Sequence, residues 1–347
     1  MKKLKKQLKN TKKNIAKFAA ANRNKEGIKP SELTLLLDPS WVKNTLQGCA
    51  DKIIGTDEFV LEAKVEPIKI YQDLRSFSFV AIYNLKIGSQ DVDLREKDKK
   101  VFAVSHSDID TEIDYNVFQN LFFHMAENPP AVLRIARPYC FIKPYNLSLR
   151  EYVDGQTLKK LIYEQKKLSS EFCELLASAI VEFQKLKTAP NLFRESETIS
   201  NFRDVKKNIQ VLKDRNNPEW SVLSDKLSKI ENNLNGIREF EKNTVLSHGD
   251  LNPSNILLTS DNRISIFDFG ETGQRHYLWD IAGLYSHLGV VTRAVNEESD
   301  AKKQQELFLD SYLKISGRVL SEEEQKLFSL FRDYFELLIL THLLVWG

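Results

Sequence analysis

Between residues 59 and 106 apolar and polar positions alternate with a period of two, most plainly at Phe77, Phe79, Ala81 and Tyr83. Such alternation predicts half-buried strands. The segments "FVLEAKVEPIKIY", "SFSFVAIYNLKIG" and "KVFAVSH" read as an antiparallel meander, with "SQDVDLREKDKK" as a charged loop before the third. The period then lengthens. "TEIDYNVFQNLFFHMAEN" turns Val117, Phe118, Leu121, Phe122 and Met125 to one side, as a helix does, and stops at Pro129 and Pro130. Two further strands, in "RPYCFIKPYN" and "LSLREYV", precede a turn at Asp154 and Gly155 and a helix starting near Thr157.

From there the pattern is mostly helical. Trp220, Leu223, Leu227, Ile230, Leu234 and Ile237 recur at spacings of three and four, which predicts one arm of a helical hairpin. Ser321 and Glu324 open the last helix as a capping box, and its apolar end, "LLILTHLLVWG", reads as a buried helix. That run is about half of the roughly 20 residues a membrane-spanning helix needs. Embedded in this part, "ILL" and "ISIF" flank "TSDNR", so a β-hairpin is expected with its turn at about Ser260 to Asn262. The chain is thus expected to be α+β, a small β-rich part followed by a larger helical one, divided at about residues 26–150 and 151–347.

Composition changes this picture at the N-terminus. Of the net charge of +2, residues 1 to 25 contribute +10, so the rest of the 347-residue chain carries −8. An acidic body weighs against nucleic acid as a partner. Leu4, Leu8, Thr11, Ile15 and Phe18 share one face of residues 1–21, a basic amphipathic pattern. The favoured reading is a helix docked on its own body or on a partner; the alternative is peripheral contact with an anionic membrane. The opening "MKKLKK" is not followed by a continuous apolar stretch, so a cytoplasmic location is expected, peripheral to the membrane's inner face if the alternative holds. Cys49, Cys140 and Cys173 are odd in number and far apart, which argues against a disulfide framework or a zinc site.

Candidate chemistry concentrates in "LSHGDLNPSNILLTSDNRISIFDFGE". Asn255 and Asp268 fall at the two adjacent open ends of the hairpin, and paired oxygen ligands on rigid strands suit Mg²⁺, which takes few carboxylates together with phosphate and water. Asp250, five residues before Asn255, faces the same space from the preceding loop. A carboxylate there orients a hydroxyl and accepts its proton while a metal neutralises phosphate charge.

In these motifs the chain resembles the aminoglycoside phosphotransferase and choline kinase-like family of small-molecule kinases, and the resemblance implies a bilobal protein-kinase-like fold. "HGDLNPSNIL" resembles the family's catalytic loop, which implies Asp250 as catalytic base and Asn255 as metal ligand. "IFDFGE" resembles its metal segment, implying that Asp268 bridges Mg²⁺ and the phosphates of ATP. "REYVDGQTL" resembles the hinge, where backbone groups of Glu151, Tyr152 and Val153 would meet adenine. "YLWDIAGLYSHL" resembles the helix after the metal segment, with Asp280 holding the catalytic loop, and His248 takes a scaffolding part rather than that of a base. The implied activity is transfer of the γ-phosphate to a hydroxyl of a small molecule such as a sugar, an aminoglycoside-like compound or an amino alcohol.

One position departs from the pattern. Kinases of this fold carry on the third strand a lysine that grips phosphates and pairs with an acid on the next helix. Aligned on "VFAVSH", Ser105 stands in the lysine's place and Asp114 in the acid's, with Lys86, Lys100 and Lys143 as candidate substitutes. The first hairpin also lacks glycine in "EPIKIYQDLRS". Two other readings follow: a membrane-associated kinase of a lipid-linked sugar, and a pseudokinase scaffold.

Overall fold

The structure, a computed structural model, describes residues 30–55, 57–72, 77–89, 96–106, 111–187, 202–235 and 243–346. The amphipathic segment, the turn of the first hairpin and Ile237 lie outside these. The chain divides into two compact units, Met1–Phe122 with Ala136–Val153, and Phe123–Ile135 with Asp154–Gly347.

The first unit is built on an antiparallel sheet of β1 (Glu58–Gln72), β2 (Phe77–Ser89), β3 (Lys97–His106), β5 (Pro138–Ile142) and β6 (Leu147–Glu151), in the order β1-β2-β3-β6-β5. Three helices that the strand pattern did not announce precede it: α1 (Pro30–Leu35), α2 (Pro39–Gln47) and α3 (Ala50–Ile53). Asp38 caps α2 by accepting from the Trp41 N–H at 2.8 Å, and Pro39 stands in its first turn, where its missing N–H costs nothing. These helices share a core with one face of the sheet: Leu36, Val42 and Leu46 join Phe79, Ala81, Tyr83, Val101, Ala103, Leu147 and Leu149. The Tyr83 hydroxyl donates to the Leu36 carbonyl across that core. Helix α4 (Thr111–Glu127) meets the opposite face, where the Tyr115 ring lies 5.7 Å from that of Phe141.

In the second unit the expected hairpin, β9 (Ile256–Thr259) and β10 (Ile264–Ile266), is widened to a four-stranded sheet by β4 (Leu133–Arg134) and β7 (Gly155–Thr157). Strands of two or three residues carry no legible period. The Glu182 carboxylate on α6 (Ser170–Gln184) accepts the N–H groups of Ala131, Val132 and Leu133, which ties the lead into β4 to this unit. A second ribbon pairs β8 (Thr244–Ser247) with β11 (Gly273–His276). The remaining helices are α5 (Leu158–Gln165), α7 (Arg203–Asp214), α8 (Trp220–Asn235), α9 (Leu278–Arg293), α10 (Glu298–Ser316) and α11 (Glu322–Trp346).

Helix α8 buries Leu223, Leu227, Ile230 and Leu234, and the Ser321–Glu324 capping box closes in both directions at 2.9 and 3.2 Å. The end of α11 corrects one expectation. Ile339 and Val345 are buried, but Leu340, Leu343 and Trp346 are exposed, so this helix is one-sided rather than wholly buried. No described helix is long and apolar enough to cross a membrane.

Candidate active site

The segment leading into Asp250 is held from behind. Asp280, in the first turn of α9, is buried and accepts three hydrogen bonds: from the Ser247 hydroxyl at 2.9 Å, the His248 N–H at 2.7 Å and the Gly249 N–H at 2.9 Å. The Trp279 indole N–H adds a bond to the Gly249 carbonyl at 3.2 Å. Gly249 turns the chain at a φ of +87°, and a Cβ there would stand 2.1 Å from the Glu271 carbonyl oxygen. Only glycine meets both demands.

His248 is fully buried, with Nε2 3.0 Å from the Phe267 carbonyl oxygen. A carbonyl only accepts, so Nε2 carries a proton, while Nδ1 is buried with no partner among the described residues. The ring stands 5.3 Å from Phe269, which stacks on Phe183 at 6.0 Å. His248 thereby links the segment before Asp250 to the segment that carries Asp268.

Asp250 is half-buried and presents its carboxylate to two asparagines. Asn252 Nδ2 donates to Oδ1 at 3.1 Å, and Asn255 Nδ2 donates to Oδ2 at 3.2 Å and to the Asp250 carbonyl at 3.0 Å. Burial pushes the Asp250 carboxyl up to about 6, against the lowering effect of His248 and Asn252; the negative charge of Asp268 pushes the same way as burial. Asn252 is a residue that sequence reading missed. Its own Oδ1 accepts from the Ser254 N–H at 2.9 Å, a local turn that fixes the loop entering β9.

The hairpin register sets the remaining pair. Ile256 lies opposite Ile266, and the Phe267 N–H reaches the Asn255 carbonyl at 3.2 Å, so Asn255 and Asp268 leave the hairpin side by side. Asp268 takes a φ of +72°, uncommon for a side-chain-bearing residue, and is exposed; its carboxylate has no hydrogen bond or ion pair among the described residues. Backbone strain at an unengaged carboxylate is the kind of feature that functional sites keep. No group of three His, Cys, Asp or Glu side chains suited to a metal occurs among the described residues. The donor set present is one carboxylate and one amide oxygen whose Nδ2 is already committed, with a second carboxylate near enough to feel the first. That suits a hard cation that takes its other ligands from phosphate and water.

The first unit holds the other expected residues. Glu151 ends β6, its N–H donating to the Arg137 carbonyl at 2.8 Å and its carboxylate accepting from the Arg137 N–H at 3.0 Å. Tyr152 follows, with Lys100 Nζ 4.9 Å from its ring centre, and Val153 ends the unit. Ser105 departs from its expected place. It is 0% exposed, lies opposite Phe79 and Leu147, and donates to the Tyr145 carbonyl at 2.9 Å. That is the face covered by α1 to α3, whereas α4 meets the face of Phe102 and Val104. The alignment is therefore one residue out of phase, and in a strand one residue changes the face. Asp114, 7% exposed, is paired with none of the three candidate lysines: Lys86 pairs with Glu96, Lys100 lies over Tyr152, and Lys143 pairs with Glu112. Its partner is Arg150, on β6.

A family model described as the phosphotransferase enzyme family matches residues 93–312, more than half of the chain. No curated protein matches the sequence. Among solved structures, an amicoumacin kinase in complex with AMP-PNP, Ca²⁺ and Ami superposes with a TM-score of 0.53 at 13% identity, over 79% of this chain and 80% of that one. A spectinomycin phosphotransferase in complex with ADP and spectinomycin gives 0.52 at 12%, over 86% and 87%. An aminoglycoside-3'-phosphotransferase of type VIII gives 0.51 at 15%, over 79% and 94%. These likenesses show a shared protein-kinase-like α+β fold.

Proposed function

The chain belongs to the phosphotransferase enzyme family, and on that premise we propose that it transfers the γ-phosphate of ATP, with Mg²⁺, to a hydroxyl of a small molecule. The observation that carries this reading is the junction of the catalytic loop with the β9–β10 hairpin. There Asp250, Asn255 and Asp268 meet within one hydrogen-bonded frame, with the only strongly raised aspartate pKa among the described residues at Asp250.

Asp250 is the proton acceptor. Its two asparagine bonds fix the carboxylate's orientation, and its pKa of about 6 keeps it ionised at neutral pH while leaving it more basic than a surface carboxylate. As the acceptor oxygen bonds to the γ-phosphorus, the bond to the ADP oxygen breaks and the hydroxyl proton goes to Asp250. Asn255 and Asp268 are the residues that would hold Mg²⁺, which when bound neutralises the phosphate charge. Asp280 and His248 keep the loop in place without touching the reacting atoms. Adenine is assigned to the backbone of Glu151, Tyr152 and Val153.

The acceptor class is a sugar, an aminoglycoside-like compound or an amino alcohol. The three similar enzymes are named for an aminoglycoside, amicoumacin and spectinomycin, and a net charge of −8 outside residues 1–25 suits acceptors that also carry ammonium groups. The test is a panel of such alcohols incubated with ATP and Mg²⁺, followed by ³¹P NMR for a new phosphomonoester. A phosphomonoester formed by the wild type and absent with Asp250→Asn supports the reading. ADP release without any phosphorylated acceptor across the panel counts against it.

A further inference from the structure

The first unit lacks a lysine where the proposed chemistry asks for a phosphate-gripping cation, yet it buries a cation nearby. Arg150 is 5% exposed and is the only Lys or Arg among the buried described residues. It sits on β6 opposite Phe102 of β3, on the face that meets α4. Its guanidinium lies 4.4 Å from the centre of the Phe118 ring, Nε donates to the Ser148 hydroxyl at 2.9 Å, and Nη2 donates to Asp114. Phe118 and Asp114 both belong to α4, so strand and helix grip the arginine together.

Burying such a pair is not an economical way to hold a helix on a sheet, since well-packed apolar residues do that as well or better. The arrangement also leaves the guanidinium incompletely used. Of its five N–H donors, the two on Nη1 and one on Nη2 have no partner among the described residues. A fork with open donors, oriented by a carboxylate and stacked on a ring, is suited to the paired oxygens of a phosphate. Arg150 also directly precedes Glu151, the first residue of the segment assigned to adenine.

Resting on the reading above, we propose that Arg150 supplies, from β6, the phosphate-binding cation that β3 does not carry, and that Asp114 is its positioning residue. The ligand is the polyphosphate of the nucleotide. The lysine–acid pair is thereby replaced by an arginine–acid pair with the cation moved to the neighbouring strand, which removes the main argument for a pseudokinase.

The test is calorimetric titration of ATP and of adenosine, with Mg²⁺ present, into the wild type, Arg150→Met and the double variant Arg150→Met/Asp114→Leu. The double variant removes both charges, so no buried carboxylate is left alone to unfold the protein. The expected result is ATP binding weakened by about tenfold or more in both variants, with adenosine binding unchanged. A purely structural arginine would move both ligands together or neither. Equal weakening of ATP and adenosine, or ATP affinity that survives in the double variant, overturns the assignment while leaving the phosphotransferase reading standing. A wild type that binds no ATP overturns both.

Discussion

The role proposed for Asp250 rests on a conflict within its surroundings: burial raises its pKa while His248 and two asparagine donors favour the charged form. The carboxylate works as a base only when ionised, so kcat/KM is expected to be fully developed above about pH 6 and to fall as pH drops through that value. A pH–rate profile checks this. Asp250→Asn is expected to lower kcat by about 10²- to 10⁴-fold with ATP affinity changed only slightly, as read by steady-state kinetics. Cys49 carries a second expectation. The hydrogen bond from the Cys140 thiol, 2.9 Å away, lowers Cys49 to about 7, while that same bond, and after it burial, pushes Cys140 up and burial raises Cys173 to about 12. Iodoacetamide followed by peptide mapping should therefore label Cys49, with a rate that rises through pH 7, and leave the other two unlabelled in the folded protein. The separation of 91 positions between Cys49 and Cys140 hid this contact from the sequence.

At the scale of elements, the loop between β8 and β9 depends on parts brought from α9 and from the Phe267–Glu271 segment. Asp280→Ala strands two backbone N–H groups and a hydroxyl in a buried setting. Each such orphan costs about 1–3 kcal/mol, so a loss of at least about 3 kcal/mol is expected in denaturant melts, with activity lost in parallel. Gly249→Ala is expected to abolish activity, because its Cβ meets the Glu271 carbonyl and its φ is wrong for alanine; a kinetic assay on the purified variant checks it. Strands and helices such as β3 and α4 were legible because their period repeats over 10 to 17 residues. The hairpin was legible from its turn chemistry, and with it the adjacency of Asn255 and Asp268. Helices α1 to α3 were not: they span 6, 9 and 4 residues, too short for a period, and the only local signal was Asp38 followed by Pro39. The Ser105 alignment failed for a sheet reason, since sequence gives the strand but not which parity faces α4. Arg150 gave no signal in the sequence because the expected cation is a lysine on β3, and the Asp114 contact joins residues 36 apart.

For the whole molecule, the family match and the shared fold establish a phosphotransferase, while substrate and metal rest on the residues that line the hairpin end. The central claim is that this end is a working Mg²⁺–nucleotide site in which Asp268 is indispensable. The most direct measurement is a calorimetric titration of ATP with and without Mg²⁺ on the full chain and on Asp268→Ala, a substitution at an exposed residue with no described side-chain partner. The expected result is binding by the wild type that strengthens with Mg²⁺ and loses that dependence in Asp268→Ala. ATP binding by the wild type that is indifferent to Mg²⁺, or equal Mg²⁺ dependence in both proteins, would contradict it.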